Sequence, residues 1–576
     1  MTRLLRFLKG YRKEAVLAPL FKLTEAVLEL LVPVAVASLI DVGIGGGNRQ
    51  HIINMALIMI ALGLLGLAAS VTAQFFSAKA ATGFAEKMKN ALFSHIQSLS
   101  ASDRDKLGAS TLITRLTSDS QLVQNGINMF LRLFLRSPFV VIGAAVMAFT
   151  VDSTLAWIFV VVIPLLSVVV VLVMRFTVPM YRNVQRGLDG LTGKTRENLS
   201  GARVIRAFCK EDNEKDEYDA ALNQLYDMQM ASGRISAVLN PATYIMINMA
   251  VVVLVYFASR RFQMDLIETG AIIALVNYMN QILAELVKFA NLVITITRAI
   301  AAGDRIQSVF EIRPSVVSPE GACKGDDSSS EVFSLRDVSL VYSGGSRPAL
   351  DGISISAQKG EKIGIIGGTG SGKTSLVNLI PRVYDATSGE VSVLGTPVRK
   401  WDLKALRSAV AVVPQKAMLF KGTIRENLKW GNEDAGDDEL IEALRRAQAL
   451  DFVLAKEGGL DYMLEARGRN LSGGQRQRLS IARALVRHSS ILILDDSASA
   501  LDFRTEQNLR KALSELDMTL IVVSQRTSSL LSMDRIAVLD NGRLMDFAPH
   551  CVLMERCPIY KEIYNSQFGS REAGNE

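Results

Sequence analysis

Apolar residues are concentrated before residue 300, in runs separated by alternately short and long polar segments. A helix needs about 20 predominantly apolar residues to cross a bilayer. Six runs suit this length, at about 16–40, 54–76, 133–151, 155–174, 241–260 and 270–296. The long intervening segments, 77–130 and 175–238, are polar and helical in pattern, without enough Gly or Pro to break the helices. We therefore predict six membrane-spanning helices, several of which project well beyond the bilayer.

Basic residues predict the side of the membrane on which the long segments lie, because Lys and Arg are enriched in cytoplasmic loops. The two segments carry Lys79, Lys87, Lys89, Arg104, Lys106, Arg115, Arg182, Arg186, Lys194 and Arg196. Arg260 and Arg261 fall on the predicted outer side, so the orientation rests on the whole pattern. The basic N-terminus, 1–13, lacks the cleavage site of a signal peptide and is interpreted as an interfacial helix, with a disordered basic tail as the alternative.

Polar side chains recur along one face of the sixth predicted span, at Asn277, Gln281, Glu285 and Lys288. Polar groups inside a membrane are energetically costly and suggest a function. Glu285 and Lys288 are three residues apart and can pair on a helix. The functional interpretation is that this face forms a wall of a water-accessible substrate cavity. The alternative is a polar seam between helices, or a segment that already enters the cytoplasm. The first span poses the same choice at Lys22, Glu25 and Glu29, where helix packing is favoured.

Composition agrees with a membrane protein of several domains. The chain has 576 residues, 49% of them hydrophobic, and a positive mean hydropathy of +0.24. At roughly 150 residues per domain, this length suggests about two to four domains. Membrane-flanking Lys and Arg explain the net charge of +7, and no basic stripe interleaved with aromatic residues indicates nucleic-acid binding. Four cysteines without metal-ligand spacing predict free thiols in a reducing compartment: Cys209, Cys323, Cys551 and Cys557.

Beyond the last span, the composition changes from apolar to polar and turn-forming. The segment 313–331 is rich in Ser, Asp, Gly and Pro, which predicts a flexible connector. Short apolar runs then alternate with helical patterns, as in an α/β nucleotide-binding domain. Strands are predicted at 334–340, 363–366, 410–413, 491–494 and 520–523.

A strand, a glycine-rich turn and a helix follow one another at 362–380, in the order that forms a phosphate cradle. The turn matches G-x-x-x-x-G-K-[ST] with Gly367, Gly368, Thr369, Gly370, Ser371, Gly372, Lys373 and Thr374, followed by Ser375. Glycines let backbone N–H groups approach phosphate oxygens, and the helix N-terminus adds partial positive charge. Lys373 is expected to reach the β- and γ-phosphates, and Thr374 to bind Mg²⁺. A chance glycine-rich turn is the alternative for this motif alone.

A helical pattern, and then the apolar run that ends in Asp495, follow the stretch Leu471-Ser472-Gly473-Gly474-Gln475. This stretch resembles the signature motif of ATP-binding cassette (ABC) proteins. Motif order and spacing are similar to that family, the six-span half resembles its exporters, and the resemblance covers nearly the whole chain. It implies a membrane all-α domain of six helices with long cytoplasmic extensions, fused to a C-terminal α/β P-loop ABC domain that uses ATP and Mg²⁺. The corresponding division is a transmembrane domain at 1–312, a linker at 313–331, an ABC domain at 332–567 and a tail at 568–576.

The resemblance also implies roles for individual residues. Each ATP is expected to lie between the phosphate loop of one subunit and the signature motif of another, here 472–475. Gln415 is expected to sense Mg²⁺ and to link to the membrane helices, and Asp495 to hold Mg²⁺ directly or through water. Tyr342 matches the aromatic residue that stacks on adenine, with a core or edge-strand tyrosine as the alternative.

Two positions depart from the family pattern. The residue after Asp495, usually a Glu that polarises the attacking water, is Asp496, whose carboxylate is withdrawn by about 1.5 Å. Misplacement on this scale costs on the order of a hundredfold in rate. The switch position, usually His, is Gln525, whose amide can hydrogen-bond the γ-phosphate but cannot shuttle a proton. A softer departure is 465–468, Glu-Ala-Arg-Gly instead of Gly-Glu-Arg-Gly, which shifts or removes an acidic loop contact with the membrane helices.

These departures predict a phosphate loop that binds ATP but hydrolyses it poorly, beside a complete signature motif. This asymmetry resembles the degenerate subunit of bacterial heterodimeric multidrug ABC exporters. The expected partner is a second, different half-transporter with the complete Glu and His; a homodimer with two slow sites is the alternative. The stretch 499–502 matches the family's loop across the dimer interface, and short transverse helices near 105–115 and 210–218 are expected to dock on the nucleotide domains.

The predicted function is ATP-driven export of amphipathic molecules (drug-like molecules, lipids or peptides) by alternating access. The predicted location is the inner (plasma) membrane, with the nucleotide-binding domain in the cytoplasm. A rival of another class is an ATP-gated channel or regulatory membrane subunit, for which weak hydrolysis would be useful. Six spans exclude a soluble ABC machine.

Overall fold

The computed structural model describes residues 2–326, 329–342, 344–498 and 500–568. The chain forms two compact units. The membrane unit comprises Met1–Gln97 and Ser110–Ile312, and the C-terminal unit comprises Ser98–Ala109 and Arg313–Glu576. Parts of three predicted features lie outside the described residues: connector positions 327 and 328, position 499 of the predicted interface loop, and tail positions 569–576.

Long helices dominate the part of the chain before residue 312. In chain order the α-helices there are α1 (Arg12–Ser38), α2 (Arg49–Ser98), α3 (Ala101–Leu107), α4 (Ala109–Thr114), α5 (Ser120–Leu133), α6 (Arg136–Val151), α7 (Ala156–Ala207), α8 (Glu211–Phe262) and α9 (Thr269–Glu311). A 3₁₀-helix, Thr2–Tyr11, precedes α1, so the basic N-terminus is helical. Among the described residues, six helical stretches are long and apolar enough to cross a membrane, which confirms the predicted number of spans.

The core of the membrane unit lies where α1, α6, α7, α8 and α9 meet, around fully buried side chains such as Phe159 and Tyr278. The Tyr278 hydroxyl donates to the Leu30 carbonyl oxygen at 2.7 Å, so this buried polar atom is satisfied. Gly126 brings α5 close to α9, because a Cβ at this position would lie 2.2 Å from the Ala299 Cβ. Small residues at 126 and 299 thus let these two helices approach closely.

A cluster of polar groups, the Arg136 seam, joins α1, α6 and α9; it consists of Glu29, Arg136, Ser137, Glu285 and Lys288. The Arg136 guanidinium donates to Glu285 at 2.5 Å and to Glu29 at 2.6 Å. The Ser137 hydroxyl and the Lys288 ammonium also donate to Glu285, at 2.9 and 2.8 Å, which confirms the predicted Glu285–Lys288 pair. The Arg136 and Glu285 side chains are only 7% and 3% exposed, whereas those of Glu29 and Lys288 are 41% and 51% exposed. The buried part of the cluster is therefore a seam between helices, and its outer members, Glu29 and Lys288, are partly exposed.

Helix α3 corrects the first predicted transverse helix, because it begins at Ala101 instead of near 105 and ends at Leu107. The Ser100 hydroxyl accepts from the Asp103 N–H, and the Asp103 carboxylate accepts from the Ser100 N–H, which is the reciprocal capping box that starts a helix. Gly108, with φ +75°, then ends it. Helix α3 belongs to the C-terminal unit, although the chain on either side of it belongs to the membrane unit.

The second predicted transverse helix, near 210–218, is wrong as a separate element. Helix α8 starts at Glu211 and continues without interruption to Phe262, and only three residues separate it from α7. Glu211, Asp212 and Glu214 lie in its first turn. Acidic side chains at that position stabilise a helix N-terminus, which explains why α8 begins here.

The C-terminal unit contains two larger β-sheets and the helices packed on them. The strands are β1 (Glu331–Leu340), β2 (Leu350–Gln358), β3 (Lys362–Gly367), β4 (Ser388–Val393), β5 (Thr396–Pro397), β6 (Val410–Val413), β7 (Gly422–Thr423), β8 (Met463–Leu464), β9 (Ile491–Asp495), β10 (Thr519–Val523), β11 (Arg535–Asp540) and β12 (Arg543–Ala548). The helices are α10 (Lys373–Leu379), α11 (Leu403–Ala409), α12 (Ile424–Lys429), α13 (Asp437–Arg446), α14 (Leu450–Leu454), α15 (Gly473–Leu485), α16 (Phe503–Ser514), α17 (His550–Arg556) and α18 (Pro558–Phe568).

Sheet topology brings the predicted motifs to one edge. The six-stranded sheet has the order β12-β11-β3-β10-β9-β6, and all its neighbouring strands are parallel except β11 and β12. A second, antiparallel sheet has the order β2-β1-β4-β5. The carboxyl ends of parallel strands meet at the same edge, where ligands bind in open α/β sheets. The chain therefore leaves β3, β10 and β9 side by side at this edge, with the phosphate loop, Gln525 and Asp496 following the respective strands.

The described part of the predicted connector is fixed to the rest of the C-terminal unit. The Ser315 N–H donates to the Asp103 carboxylate at 2.9 Å. Further along, the Cys323 N–H donates to the Lys400 carbonyl oxygen at 3.0 Å. These hydrogen bonds contradict the prediction of a flexible connector over the described residues.

Candidate functional site

The phosphate loop leaves β3 at Gly367 and enters α10 at Lys373. Gly367 packs too closely for another residue, because a Cβ there would lie 2.2 Å from the Leu539 carbonyl oxygen. By contrast, a Cβ on Gly368 or Gly370 would meet no atom within 4 Å. The loop is therefore packed on its sheet side and open on the other, as a cradle for phosphate requires.

Lys373 lies inside the loop, with the residue only 8% exposed. Its ammonium donates to the carbonyl oxygens of Gly367 at 2.9 Å and Gly368 at 2.6 Å. Burial lowers the pKa of Lys373, while the nearby charges of Asp496 and Asp495 act in the opposite direction. The side chain is thus held where phosphate oxygens could replace the two carbonyls.

Thr374 and Asp495 place oxygen atoms together beside the loop. The Thr374 hydroxyl donates to the two carboxylate oxygens of Asp495 at 2.9 and 3.1 Å. Burial raises the pKa of Asp495, and the charge of Asp496 adds to the shift. A hydroxyl and a carboxylate are hard oxygen ligands of the kind that Mg²⁺ prefers, so the pair fits that ion.

Asp496 immediately follows β9 and has φ +47°, in the left-handed region that Asp tolerates better than most residues. Its N–H donates to the Val523 carbonyl oxygen of β10 at 2.9 Å, which fixes the turn. The Gln415 side-chain amide donates to the Asp496 carboxylate at 3.2 Å. The structure therefore brings together two residues that the sequence placed at the hydrolytic site.

Gln525 is an exposed residue of the loop after β10, called the switch loop here (Ser524–Ser529). The Ser524 N–H donates to the Ile365 carbonyl oxygen of β3 at 3.1 Å, so the loop begins beside the strand that carries the phosphate loop. The Gln525 carbonyl oxygen accepts from Gln567 of α18 at 2.8 Å.

Tyr342 lies beside the phosphate-loop helix. Its hydroxyl donates to the Ser375 hydroxyl at 2.9 Å, and its ring meets the Tyr384 ring edge-on, with centroids 5.2 Å apart. The Tyr384 hydroxyl in turn donates to the Asp105 carboxylate of α3 at 2.7 Å. Burial and this hydrogen bond raise the pKa of Tyr384. The location suits either predicted role of Tyr342, adenine stacking or packing.

The signature motif forms the start of α15. Ser472 caps the helix: its hydroxyl accepts from the Gln475 N–H at 3.2 Å, and the Gln475 side chain accepts from the Ser472 N–H at 3.0 Å. Gly473 and Gly474 form its first turn, leaving the helix N-terminus without side chains there. No hydrogen bond joins this motif to the phosphate loop within the described residues.

Comparisons with known proteins decide the family. Residues 16–286 match the family model of the ABC transporter transmembrane region, and residues 350–499 match that of the ABC transporter. The chain is 36% identical, over 99% of its own length and 99% of the relative, to the uncharacterized ABC transporter ATP-binding protein YfiB of Bacillus subtilis. The chain belongs to the ABC transporter family. It is also 28% identical, over 98% of its length and 97% of the relative, to an ATP-dependent lipid A-core flippase of Vibrio vulnificus.

The fold of this ABC transporter is similar to a solved structure of a bacterial Atm1-family ABC exporter with ATP bound. The TM-score is 0.80 at 22% identity, covering 96% of this chain and 98% of the other. The predicted fold class is confirmed: a membrane domain of six apolar helices is fused to a C-terminal ABC nucleotide-binding domain. This ABC transporter is therefore a multi-pass membrane half-transporter whose cytoplasmic ABC domain is an ATPase coupled to transport.

Sequence reasoning missed several residues that the structure places at important contacts. Arg136 lies near the start of an apolar run, and a charged residue at such a position could have indicated a buried polar contact. Tyr384 and Gln567 carried no signal, because an isolated tyrosine and an exposed glutamine near the C-terminus occur in any protein. Their partners lie far along the chain, at Asp105 and on the switch loop.

Proposed function

We propose that this ABC transporter is one half of an ATP-driven exporter, and that its own phosphate loop forms the low-hydrolysis site of a heterodimer. The observation that carries the proposal is the pair of departures at the hydrolytic positions, Asp496 and Gln525. Both lie beside an otherwise complete phosphate loop, and the chain also keeps a complete signature motif. The expected partner supplies the Glu and the His that this chain lacks.

Nucleotide binding depends on groups that already converge. ATP with Mg²⁺, when bound, supplies the free energy for the transport cycle. Lys373 exchanges its hydrogen bonds to Gly367 and Gly368 for hydrogen bonds to phosphate oxygens. Thr374 and Asp495 would hold the metal ion, and Gln415 lies within reach of the same region through its hydrogen bond to Asp496. Ser472 to Gln475 complete the site of the partner.

Hydrolysis at this chain's site is slow because both reacting positions lack the required group. Asp496 can accept a proton from an attacking water, but its carboxylate is one methylene shorter than that of Glu and lies at a backbone position fixed by β10. Gln525 can donate a hydrogen bond to a phosphate oxygen but cannot titrate near neutral pH. The site therefore binds ATP more readily than it hydrolyses it.

Coupling to the membrane helices runs through α3. Asp105 of α3 accepts from Tyr384, whose ring contacts Tyr342 beside the phosphate loop. A shift of the nucleotide site is therefore passed to α3, and from α3 along the chain to the long helix α2 before it and the short helix α4 after it. Closure of two ABC domains then favours the outward-open form of the membrane helices, a rigid-body change.

The transported molecule is proposed to be amphipathic: a drug-like molecule, a lipid or a peptide. The half-exposed charges of Glu29 and Lys288 lie within otherwise apolar spans and offer one polar contact of each sign. The name of one relative, a lipid A-core flippase, supports a lipid. An apolar body with a polar end would match such a surface.

Purification of the tagged chain from its native membrane tests the heterodimer directly. We expect a second chain of similar size in equal amount, with a Glu after its own strand-terminal Asp and a switch His. Recovery of this chain alone would identify a homodimer and exclude the asymmetric site. Hydrolysis of ATP by such a homodimer would have to be carried out by Asp496 and Gln525.

A further inference from the structure

One side chain of the C-terminal helix holds the switch loop at two residues. The Gln567 carbonyl oxygen accepts from the Thr527 N–H at 2.8 Å and from the Thr527 hydroxyl at 2.9 Å. Its NH₂ group donates to the Gln525 carbonyl oxygen at 2.8 Å. A single amide thus uses both its donor and its acceptor on the loop that carries the switch residue.

The contact is important for the loop because Thr527 is fully buried, with 0% of its surface exposed. Loss of the Gln567 carbonyl oxygen would leave the Thr527 N–H and hydroxyl without this partner, which carries a free-energy cost. The hydrogen bond to the Gln525 carbonyl oxygen is made one peptide group earlier in the chain. It fixes the peptide plane that follows the Gln525 Cα, to which the Gln525 side chain is attached. The orientation of that side chain therefore depends on where Gln567 lies.

Other residues fix the rest of the same loop. Glu506 of α16 is 3% exposed and accepts from the Ser529 hydroxyl and from the Arg526 guanidinium. Arg510 of α16 donates to the Ser528 carbonyl oxygen at 2.6 Å. These contacts reach residues 526, 528 and 529, whereas the hydrogen bonds of the Gln567 side chain reach residues 525 and 527. The two sets of contacts are complementary, and Gln567 serves the end of the loop nearest to Gln525.

Helix α18 is itself anchored, so that Gln567 is not a loose contact. Tyr560 is fully buried in a core cluster with Leu530, Ile536 and Leu553, and its hydroxyl lies 2.8 Å from the His550 ring nitrogen of α17. Gln567 lies seven residues, about two helical turns, after Tyr560 and so shares its face of the helix. The anchored face of α18 thereby determines the position of the amide.

We infer that Gln567 is a positioning residue for nucleotide sensing, through which the C-terminal helix sets the orientation of Gln525. The inference rests on the proposed function in one respect, namely that Gln525 contacts the γ-phosphate. Any displacement of α18 changes how strongly this site distinguishes ATP from ADP. Gln567 does not touch the nucleotide and acts only through the switch loop.

The test is chain-resolved nucleotide binding in membranes that contain the complete transporter. The chain is photolabelled with 8-azido-ATP in the presence of Mg²⁺, and the concentrations of ATP and ADP that halve the labelling are compared. The readout is the ratio of these two concentrations, because only ATP carries the phosphate that Gln525 contacts. Hydrolysis is not required, so a slow site can be measured.

Gln567→Glu is the decisive variant. A carboxylate still accepts from Thr527, but it cannot donate to the Gln525 carbonyl oxygen and repels it. We expect the preference for ATP over ADP to fall about 10-fold while ADP binding and thermal stability stay close to wild type. Gln567→Ala removes all three hydrogen bonds and is expected to lower both the preference and the melting temperature. Asn565→Ala truncates a neighbouring exposed amide on the same helix and is expected to change the preference less than about 2-fold.

Two outcomes contradict the inference, and only the second also contradicts the proposed switch role of Gln525. A normal ATP preference in Gln567→Glu, with labelling intact, overturns the role of Gln567 and leaves the proposed function standing. Equal binding of ATP and ADP by the wild-type chain shows that Gln525 does not sense the γ-phosphate, which overturns the proposed switch role and the inference with it.

Discussion

At the scale of single residues, the proposed slow hydrolysis by this ABC transporter rests on one methylene group and one ring. Asp496 lies where its backbone is held by the Val523 carbonyl oxygen and its carboxylate by Gln415. The proposal is that these two contacts keep the shorter acid from moving forward to compensate for its length. The neighbouring Lys373, Thr374 and Asp495 keep the contacts that nucleotide binding needs. The proposal therefore predicts that a few atoms separate nucleotide binding from hydrolysis at this site.

Restoring both groups is expected to restore hydrolysis. The double variant Asp496→Glu/Gln525→His should raise ATP turnover at this chain's site, on the order of a hundredfold, because the carboxylate regains its reach and the switch gains an imidazole. The measurement is phosphate release by the complete transporter with the phosphate-loop lysine of the partner replaced. Asp496→Asn/Gln525→His serves as the control and should stay slow. An unchanged rate in the restored variant would place the defect elsewhere.

Arg136 is expected to be the most costly membrane residue to remove. Arg136→Ala leaves the buried Glu285 carboxylate with Lys288 and Ser137 but without its closest guanidinium partner, and should lower the free energy of unfolding by about 3–5 kcal/mol. The apolar double variant Arg136→Met/Glu285→Leu should recover most of the loss. Unfolding of the purified protein in detergent measures both.

Lys288→Ala is the matched control for that series. Its side chain is 51% exposed, so its loss should cost less than about 1 kcal/mol. A cost equal to that of Arg136→Ala would show that the seam is stabilised from its exposed end instead of its buried end.

At the scale of elements, α3 shows how a short helix is placed by a few hydrogen bonds. Its capping box uses Ser100 and Asp103, and the same Asp103 carboxylate accepts from the N–H and the hydroxyl of Ser315. Helix α3 therefore joins the C-terminal unit through a residue that also starts the helix. Burial by itself would raise the pKa of Asp103, but the hydrogen bonds from Ser315 and Ser100 outweigh it and lower the pKa below its usual value of 3.8.

The lowered pKa of Asp103 gives a pH dependence of known sign. Because the folded pKa lies below the unfolded value of 3.8, the carboxylate stabilises the folded state above that pH and loses this contribution as pH falls through the folded pKa. Asp103→Asn should cost about 1 kcal/mol near neutral pH. Its difference from wild type should shrink as the solution is acidified.

Thermal unfolding from about pH 7 to about pH 3 measures this difference. Lys106→Gln, on an exposed position of the same helix, should show no such convergence with wild type. A cost of Asp103→Asn that is independent of pH would mean that the carboxylate charge does not contribute.

At the scale of the whole molecule, the chain carries one phosphate loop and one signature motif, and no hydrogen bond joins them within the described residues. ABC transporters work as dimers in the bilayer, so the second half of each ATP site comes from another subunit. If that subunit is a different chain, as proposed, the transporter has one fast and one slow ATP site. If it is a second copy of this chain, the two ATP sites are equal.

Directional transport separates an exporter from an ATP-gated channel. We expect proteoliposomes containing both chains to move a fluorescent amphipathic probe only while ATP is hydrolysed, because alternating access needs the complete cycle. Replacing the phosphate-loop lysine in the catalytically complete partner should abolish the flux. Passive flux down a gradient, opened by a non-hydrolysable ATP analogue, would favour the channel.

The errors of the sequence interpretation have local physical causes. The transverse helix expected at 105–115 begins at Ala101, because the capping pair of Ser100 and Asp103 starts it earlier and Gly108 ends it. The helix expected near 210–218 is the first part of α8, since the chain from Glu211 to Ser232 contains neither Gly nor Pro that would end a helix there. The connector was expected to be flexible from its composition, yet Ser315 and Cys323 are fixed by hydrogen bonds to distant residues.

The sequence by itself determined whatever depends on neighbours along the chain. Six apolar runs gave the number of spans, because crossing a bilayer is a matter of length and hydrophobicity. The phosphate loop was recognisable because strand, glycine turn and helix are consecutive. Only the tertiary structure decided which distant groups meet: Arg136 with Glu285, Tyr384 with Asp105, and Gln567 with Gln525. Such pairs depend on how packed helices and sheets bring side chains together. The periodicity of a single sequence does not show which residues far apart along the chain will meet.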